Sequence, residues 1–446
     1  MSQRLFGTDG VRSKAGQPPL DAATIRRLGA SLVKALPSRG CPARLVTGRD
    51  TRESGAWIER EFAFGVRSAG GEVTSAGVIP TPAVALLARE LGLDAGVVIS
   101  ASHNPFEDNG IKVFSGAGEK FTEALEREVE AFVNDPAWAV PDGVAPDLEA
   151  TDLSGRYLDH VQRALPDPAR LGRLAVAIDC ANGATSSVAP RLFAGLGLGT
   201  IVVAAEPDGR NINLGCGSTH PERLARTVVE HGADLGVAFD GDGDRAIFVD
   251  HAGRVLDGDA VLLMCARHLK AAGRLAGDAV VATVMSNIGL ELALRASGIA
   301  VVRCPVGDKY VMEEMLRRGL SLGGEQSGHV IFSERPYTGD GLVTALSVLD
   351  VMASSGRRLA ELSAGLVTYP QVLVNVRVGR RADVATVPPL AAAIARVETR
   401  LAGAGRLLVR YSGTEPLLRI MLEGRDRAEI EAMAEEIAAE ARAHLN

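Results

Sequence analysis

Cysteine is scarce in this chain, and its pattern argues against two kinds of chemistry. The five residues Cys41, Cys180, Cys216, Cys265 and Cys304 are odd in number, scattered and never spaced C-x-x-C. That pattern fits neither a disulfide framework nor a thiolate zinc site, and the residues read as buried free thiols in a reducing cytoplasm. Aromatic residues are only 4% of the chain against 46% hydrophobic residues in all. Such an Ala- and Gly-rich interior is that of an α/β protein with several cores, and 446 residues suit about three domains. Long apolar runs are missing as well. The stretch that comes nearest to membrane-spanning length is broken by Arg274 and Asp278. Met1 to Phe6 contain no apolar core of a secretory signal, so the expected location is the cytoplasm. A net charge of −7 argues against nucleic acid as a partner. No Walker A or G-x-G-x-x-G pattern occurs, so ATP and NAD have no recognisable site. Lysine is scarcer than arginine, with six residues in the chain. An acidic chain that binds anions must concentrate its positive charge, and two of these lysines stand out: Lys112, ten residues after Ser102, and Lys309, in a Gly-Asp turn.

Among the features present, Val97 to Ile99 is a short apolar β-rich run that ends in Ser100-Ala101-Ser102-His103-Asn104-Pro105. This places Ser102 in a loop at the end of a buried strand, where α/β proteins carry their ligand chemistry. Asp108-Asn109-Gly110 reads as a second turn, after which Ile111 to Phe114 returns as a strand carrying Lys112. Glycine is missing on both sides of Ser102, so this is not the G-x-S-x-G elbow of a hydrolase.

A second strand, Leu235 to Phe239, runs into Asp240-Gly241-Asp242-Gly243-Asp244-Arg245. Three carboxylates so close repel one another unless a cation joins them. Oxygen donors select a hard ion, Mg²⁺ or Ca²⁺. The Ca²⁺-loop pattern fails because its sixth position is Arg245 and its twelfth His251, which favours Mg²⁺.

Along the chain, Gly7-Thr8-Asp9-Gly10-Val11-Arg12 is a tight turn ending in arginine. Strand and helix signals then alternate three times, each unit ending strands in small polar loops, which suggests internal duplication. The third unit carries Gly324-Glu325-Gln326-Ser327-Gly328-His329, where glycines let a ligand approach and Glu325 with Ser327 suits sugar hydroxyls. Beyond about Pro370 the pattern becomes antiparallel strands, Val372 to Val378, Arg406 to Tyr411 and Leu417 to Glu423. A final helix begins at Asp426, with Glu429 completing a capping box. The turn Ser412-Gly413-Thr414, flanked by Arg410 and Arg419, has the parts of a phosphate cradle.

The five motifs of the Arg12, Ser102, Asp240, Glu325 and Ser412 stretches, in that order, resemble the α-D-phosphohexomutase superfamily over the whole chain. The Glu-Gln-Ser-Gly-His loop, together with Gly217-Ser218-Thr219-His220-Pro221-Glu222, looks most like the bacterial phosphoglucosamine mutases. The phosphomannomutase/phosphoglucomutase enzymes stand close behind. The resemblance implies three similar α/β domains with mixed sheets sandwiched by helices and a C-terminal α+β domain, set around a central cleft. Their expected spans are 1–150, 151–253, 254–367 and 368–446. It implies a phosphoserine at Ser102, and Mg²⁺ held by Ser102, Asp240, Asp242 and Asp244. Lys112, His329, Arg12 and Arg245 would serve catalysis. Glu325, Ser327, Arg410, Ser412, Gly413, Thr414 and Arg419 would bind substrate. The implied reaction interconverts glucosamine 6-phosphate and glucosamine 1-phosphate through glucosamine 1,6-bisphosphate, feeding UDP-N-acetylglucosamine and cell-wall precursor synthesis. The implied partner is a small sugar phosphate, with no nucleic acid and no membrane, and a homodimer stays open. Two rival readings are a Mg²⁺-dependent sugar phosphatase and a non-catalytic sugar-phosphate sensor.

Overall fold

A computed structural model describes residues 4–7, 9–36, 41–336, 338–401, 403–412 and 416–445. The chain forms two compact units, one of Met1–Met285 with Gly298–Ala364 and the other of Ser286–Ser297 with Gly365–Asn446.

The first unit contains one sheet pattern three times. Its first sheet comprises β1 (Val11–Lys14), β2 (Arg44–Arg49), β3 (Glu72–Val78), β4 (Ala95–Ile99) and β5 (Asp108–Ser115), in the order β1-β5-β4-β2-β3. The second comprises β6 (Ala175–Asp179), β7 (Gly199–Val203), β8 (Leu235–Phe239), β9 (Ala246–Asp250) and β10 (Val255–Leu256), in the order β10-β9-β8-β6-β7. The third comprises β11 (Ala279–Thr283), β12 (Ala300–Cys304), β13 (Leu322–Gly324) and β14 (Val330–Phe332), in the order β12-β11-β13-β14. In each, a central strand pairs in parallel with the next two, one on either side, and the last of these three turns back antiparallel. The Ser102, Asp240 and Glu325 loops all occupy the same place, the turn where the third parallel strand hands over to its antiparallel neighbour. The repeated topology thus sets the three loops at three equivalent strand ends.

The parallel strands read as continuous apolar runs because both faces are covered. In the first sheet, Leu45, Val97 and Ile99 pack with Leu28 and Phe62 of the helices Ala22–Ala35 and Gly55–Ser68. The alternate residues Gly48 and Gly96 lie against Val84 of the helix Thr81–Glu90.

The second unit is a sheet of β15 (Gln371–Arg377), β16 (Arg406–Tyr411) and β17 (Leu417–Glu423), antiparallel in the order β15-β17-β16. Leu418, Ile420 and Leu422 pack with Leu390 and Val397 of the helix Pro388–Leu401 and with Ile430, Met433, Ile437 and Ala441 of the helix Arg427–Leu445. Asp426 Oδ1 caps that last helix by accepting from the N–H of Glu429 at 2.9 Å.

Three expectations are corrected. Asp108-Asn109-Gly110 is no turn but the start of β5, because β1 pairs with it in the register Val11↔Ile111 to Lys14↔Asp108 and takes up its backbone groups. Cys41 is exposed, while the other four cysteines are buried; it lies in the connection into β2, outside any core. Lys309 lies in the helix Asp308–Arg318 instead of a turn, and its ammonium is spent on Glu126, at 3.1 and 3.2 Å from the two carboxylate oxygens.

Candidate active site

Ser102 is fully buried at the end of β4 and held at φ +52, in the left-handed region that serine seldom adopts. A clamp explains how it stays there. Arg52 Nη2 donates to the carbonyls of Ser102 (3.2 Å) and Asn104 (2.6 Å), and Asn213 Nδ2 donates to the same two oxygens at 2.9 and 3.2 Å. Arg52 is itself ion-paired with Asp50, both side chains being fully buried. Ser100 Oγ donates to Asp50 and accepts from the N–H of Ser102 at 2.9 Å. Gly241 packs so tightly on this loop that a Cβ there would lie 2.6 Å from the Ser102 carbonyl oxygen.

The Ser102 hydroxyl donates to Asp240 Oδ2 at 2.6 Å and lies 3.3 Å from Nδ1 of His103. Asp240, Asp242 and Asp244 are buried, with one ligand oxygen from each inside a 4.8 Å cluster. Asp242 Oδ1 and Asp244 Oδ1 are buried without a hydrogen-bond partner. Buried carboxylate oxygens left unsatisfied are costly, and a hard divalent cation is what this donor set fits.

Lys112 Nζ supplies the nearest positive charge, 2.9 Å from Asp242, 3.2 Å from Asp9 and 3.4 Å from Asp244. The charges sort the three acids. Burial, Asp244 and Asp242 together push Asp240 well above the usual carboxylate range. Burial also opposes ionisation of Asp242 and Asp244, yet Lys112, joined by Thr81 at Asp242 and by His329 and Arg245 at Asp244, holds both low. Lys112 is correspondingly held cationic, its acidic neighbours overcoming burial. The three acids thus differ in direction, Asp240 raised and Asp242 and Asp244 lowered, as expected of clustered like charges beside one ammonium.

Arg245 Nε lies 3.7 Å from Asp244 and 4.0 Å from Asp240. Arg12 is ion-paired with Asp9 and donates to the Ala101 carbonyl at 3.4 Å. His329 sits between two acids, Nδ1 at 3.6 Å from Asp244 and Nε2 at 3.6 Å from Asp308. Two influences on this ring disagree. Burial disfavours the imidazolium, but Asp244 and Asp308 raise the pKa above its ordinary value. The N–H of Gly339 donates to Nε2 at 2.9 Å, which requires a lone pair there. That lone pair leaves Nδ1, the nitrogen beside Asp244, as the one that carries the ring's proton. His103 is held neutral, with a pKa of about 4, by burial and then by Arg245 and Arg12.

These groups border a cavity of 610 Å³ lined by Arg4, Arg12, His103, Asp244, Arg245, Asp308, Glu325 and His329 among others. Glu325 Oε1 accepts from the N–H of Gly307 at 3.0 Å. Ser327 lines a second, adjoining cavity instead. In the other unit, Arg410 and Arg419 are directly paired across β16 and β17, and the N–H of Ser412 donates to the Leu417 carbonyl at 2.8 Å. Gly413 and Thr414 lie outside the described residues, as does Thr8 of the N-terminal motif.

Sequence reasoning missed the clamp of Asp50, Arg52, Ser100 and Asn213. It also missed Lys120, which lies 2.5 Å from both Asp9 and Asp308, two acids of the cavity wall. A signal existed for Arg52, in the Arg- and Asp-rich turn closing β2. None marks Asn213, whose partners lie more than a hundred residues away.

The comparisons with known proteins cover the chain from end to end. Residues 3–139, 155–253, 257–369 and 373–440 match domains I, II, III and the C-terminal domain of phosphoglucomutase/phosphomannomutase. The chain belongs to this family. A phosphoglucosamine mutase of Solibacter usitatus is 51% identical over 440 residues, 98% of each chain. A crystal structure of a phosphoglucomutase/phosphomannomutase family protein from Burkholderia thailandensis aligns with a TM-score of 0.80 at 25% identity, over 100% of this chain and 99% of that one. An N-acetylphosphoglucosamine mutase of Aspergillus fumigatus, in complex with GlcNAc-6P and magnesium, shares the fold with a TM-score of 0.66 at 20% identity, over 99% of this chain and 96% of that one. The architecture of three α/β domains and a C-terminal domain is that of the family. Among the described residues, no helix is long and apolar enough to cross a membrane.

Proposed function

We propose that this chain interconverts glucosamine 6-phosphate and glucosamine 1-phosphate through a phosphorylated Ser102 and a 1,6-bisphosphate. The observation that carries the reading is the Ser102 hydroxyl, clamped at a strained strand end 2.6 Å from Asp240 and beside two unsatisfied carboxylate oxygens. The 51% identity to a phosphoglucosamine mutase supports the choice of sugar. In the forward half-reaction the bond between Ser102 Oγ and phosphorus breaks as the sugar O1 bonds to phosphorus and gives up its proton. The bisphosphate then reverses and returns its 6-phosphoryl group to Ser102.

Phosphoryl transfer depends on positioning and charge neutralisation. Asp240, Asp242 and Asp244, with a phosphoryl oxygen on Ser102, would hold Mg²⁺, which neutralises phosphoryl charge when bound. Arg245 and Arg12 add fixed positive charge at the cavity. Lys112 and His329 serve the proton transfers, and His103, neutral at physiological pH, joins them beside the nucleophile. Glu325 and Ser327 hold the sugar. Arg410, Ser412 and Arg419, with Gly413 and Thr414, take the distal phosphate.

A panel of hexose and hexosamine 6-phosphates, assayed with Mg²⁺ and a trace of the matching bisphosphate, tests the reading. Glucosamine 6-phosphate is expected to isomerise fastest. Faster turnover of glucose or mannose phosphates would assign the chain to the hexose branch, and release of inorganic phosphate without isomer formation would make it a phosphatase.

Two variants probe the supporting parts. Asn213→Asp keeps the size of the side chain but turns a donor into an acceptor facing two carbonyls. Turnover should fall at least tenfold, about 1.4 kcal/mol of barrier, with KM little changed. Wild-type kcat would show that Arg52 alone positions the loop. Arg419→Ala should lose roughly ten- to a hundredfold in kcat/KM in both directions while Ser102 still takes up a phosphoryl group. A loss in one direction only would contradict a shared role in holding the distal phosphate.

A further inference from the structure

The Ser218–Thr219 loop has no task in the mechanism above, yet it faces the second cavity, of 530 Å³. The loop is moored to the metal strand. The N–H of Ser218 donates to the carbonyl of Phe239, the last residue of β8, at 2.8 Å, and the N–H of Gly217 donates to Asp179 Oδ2 at 3.0 Å. Gly217 sits at φ +76, where a Cβ would lie 2.6 Å from Ala181 Cβ and 2.7 Å from the Phe239 oxygen. Phe239 immediately precedes Asp240, so the backbone at Ser218 is held at a set position relative to the carboxylates.

Across the cavity stands the Glu325–Ser327 loop, equally moored. The N–H of Gly258 donates to the Gln326 carbonyl at 2.9 Å, and Gln326 Nε2 donates to Asp257 Oδ2 at 3.1 Å. The two cavities share Arg245, Val306 and Glu325 in their linings, so they adjoin. Their chemistry differs. The 610 Å³ cavity carries Arg4, Arg12 and Arg245, which suits phosphate. The 530 Å³ cavity has Arg245 as its only cation among the lining residues, and Arg245 is already flanked by Asp240 and Asp244. Against it stand Asp257, Glu325 and five neutral hydrogen-bonding side chains, Ser218, Thr219, Thr283, Gln326 and Ser327. Such a lining repels a second phosphate and welcomes a group rich in N–H donors.

We infer that Ser218 and Thr219 form the second jaw of the sugar subsite and that this jaw selects an amino sugar over the corresponding hexose. The hydroxyls accept from the amino group, while the acidic lining favours its partly protonated state over a neutral hydroxyl. Because both jaws are anchored before ligand arrives, little ordering cost falls on binding.

The inference rests on the glucosamine phosphate reading, and the test keeps the two apart. Wild type and the double variant Ser218→Ala/Thr219→Val are titrated calorimetrically with glucosamine 6-phosphate and with glucose 6-phosphate, and kcat/KM is measured for both. The variant should lose roughly three- to tenfold more affinity and kcat/KM for the amino sugar than for glucose 6-phosphate. Equal losses on both sugars, or none on either, would overturn the selective jaw. If wild type binds glucosamine 6-phosphate without isomerising it, the proposed reaction fails, and the ratio of binding constants still decides the role of the loop. Thr219 is exposed and Ser218 half-buried, so neither substitution opens a core cavity.

Discussion

Ser102→Ala should abolish mutase turnover, by more than about a thousandfold, and leave a folded protein. The loss follows from the proposed chemistry, because the Ser102 hydroxyl is the atom that carries the transferred group and alanine offers no oxygen there. The retained fold follows from what alanine keeps. The Cβ is present in both residues, so the strain at φ +52 is no greater, and the clamp from Arg52 and Asn213 grips backbone carbonyls that are unchanged. What alanine removes is the hydrogen bond to Asp240, worth on the order of 1 kcal/mol. Intact-mass and peptide analysis after incubation with the bisphosphate should find one phosphoryl group on Ser102 of the wild type and none at that position in the variant. Wild-type-like turnover by the variant would remove the phosphoserine mechanism altogether.

Asp242→Asn should shift the Mg²⁺ requirement to concentrations tenfold higher or more and lower kcat sharply. Asparagine preserves the volume and can still meet Thr81 Oγ1, which donates to Asp242 Oδ2 at 2.6 Å. It removes one negative charge from a cluster whose appetite for a cation comes from three. It also removes the negative charge nearest Lys112, whose ammonium lies 2.9 Å away. A readout independent of turnover is thermal stability. A cation that binds the folded state alone raises Tm with concentration, so the Tm–Mg²⁺ curve of the variant should lie to the right of the wild-type curve. Superimposable curves would show that Asp242 takes no part in holding a cation.

How much of this was legible before folding depends on the distance over which each property is decided. The strand ends at Ser102 and Asp240 were legible because an apolar run followed by glycine, proline and short polar residues is a local signal. The clustering of Asp240, Asp242 and Asp244 was legible for the same reason, since carboxylates at alternate positions of one tight loop are close neighbours wherever the loop sits. Asp108 to Gly110 carried equally strong turn chemistry and yet form a strand. There the deciding partner is β1, about a hundred residues earlier, and its ladder overrode the local preference.

Charge partners were the least legible property of all. Lys112, Lys120 and Lys309 are alike as sequence, and their tasks differ only through what the fold brings near: three acids, a bridge between Asp9 and Asp308, and a private pair with Glu126. The sequence by itself determined the repeating α/β plan, the family, and the loops that carry Ser102 and the three carboxylates. Only the tertiary structure decided that Arg52 and Asn213 hold Ser102 in its strained turn, and that Ser218 and Thr219 look across a cavity at Glu325 and Gln326. Periodicity and turn composition act within a few residues, whereas hydrogen bonds and Coulomb forces act through space, between whichever groups the packed sheets set side by side.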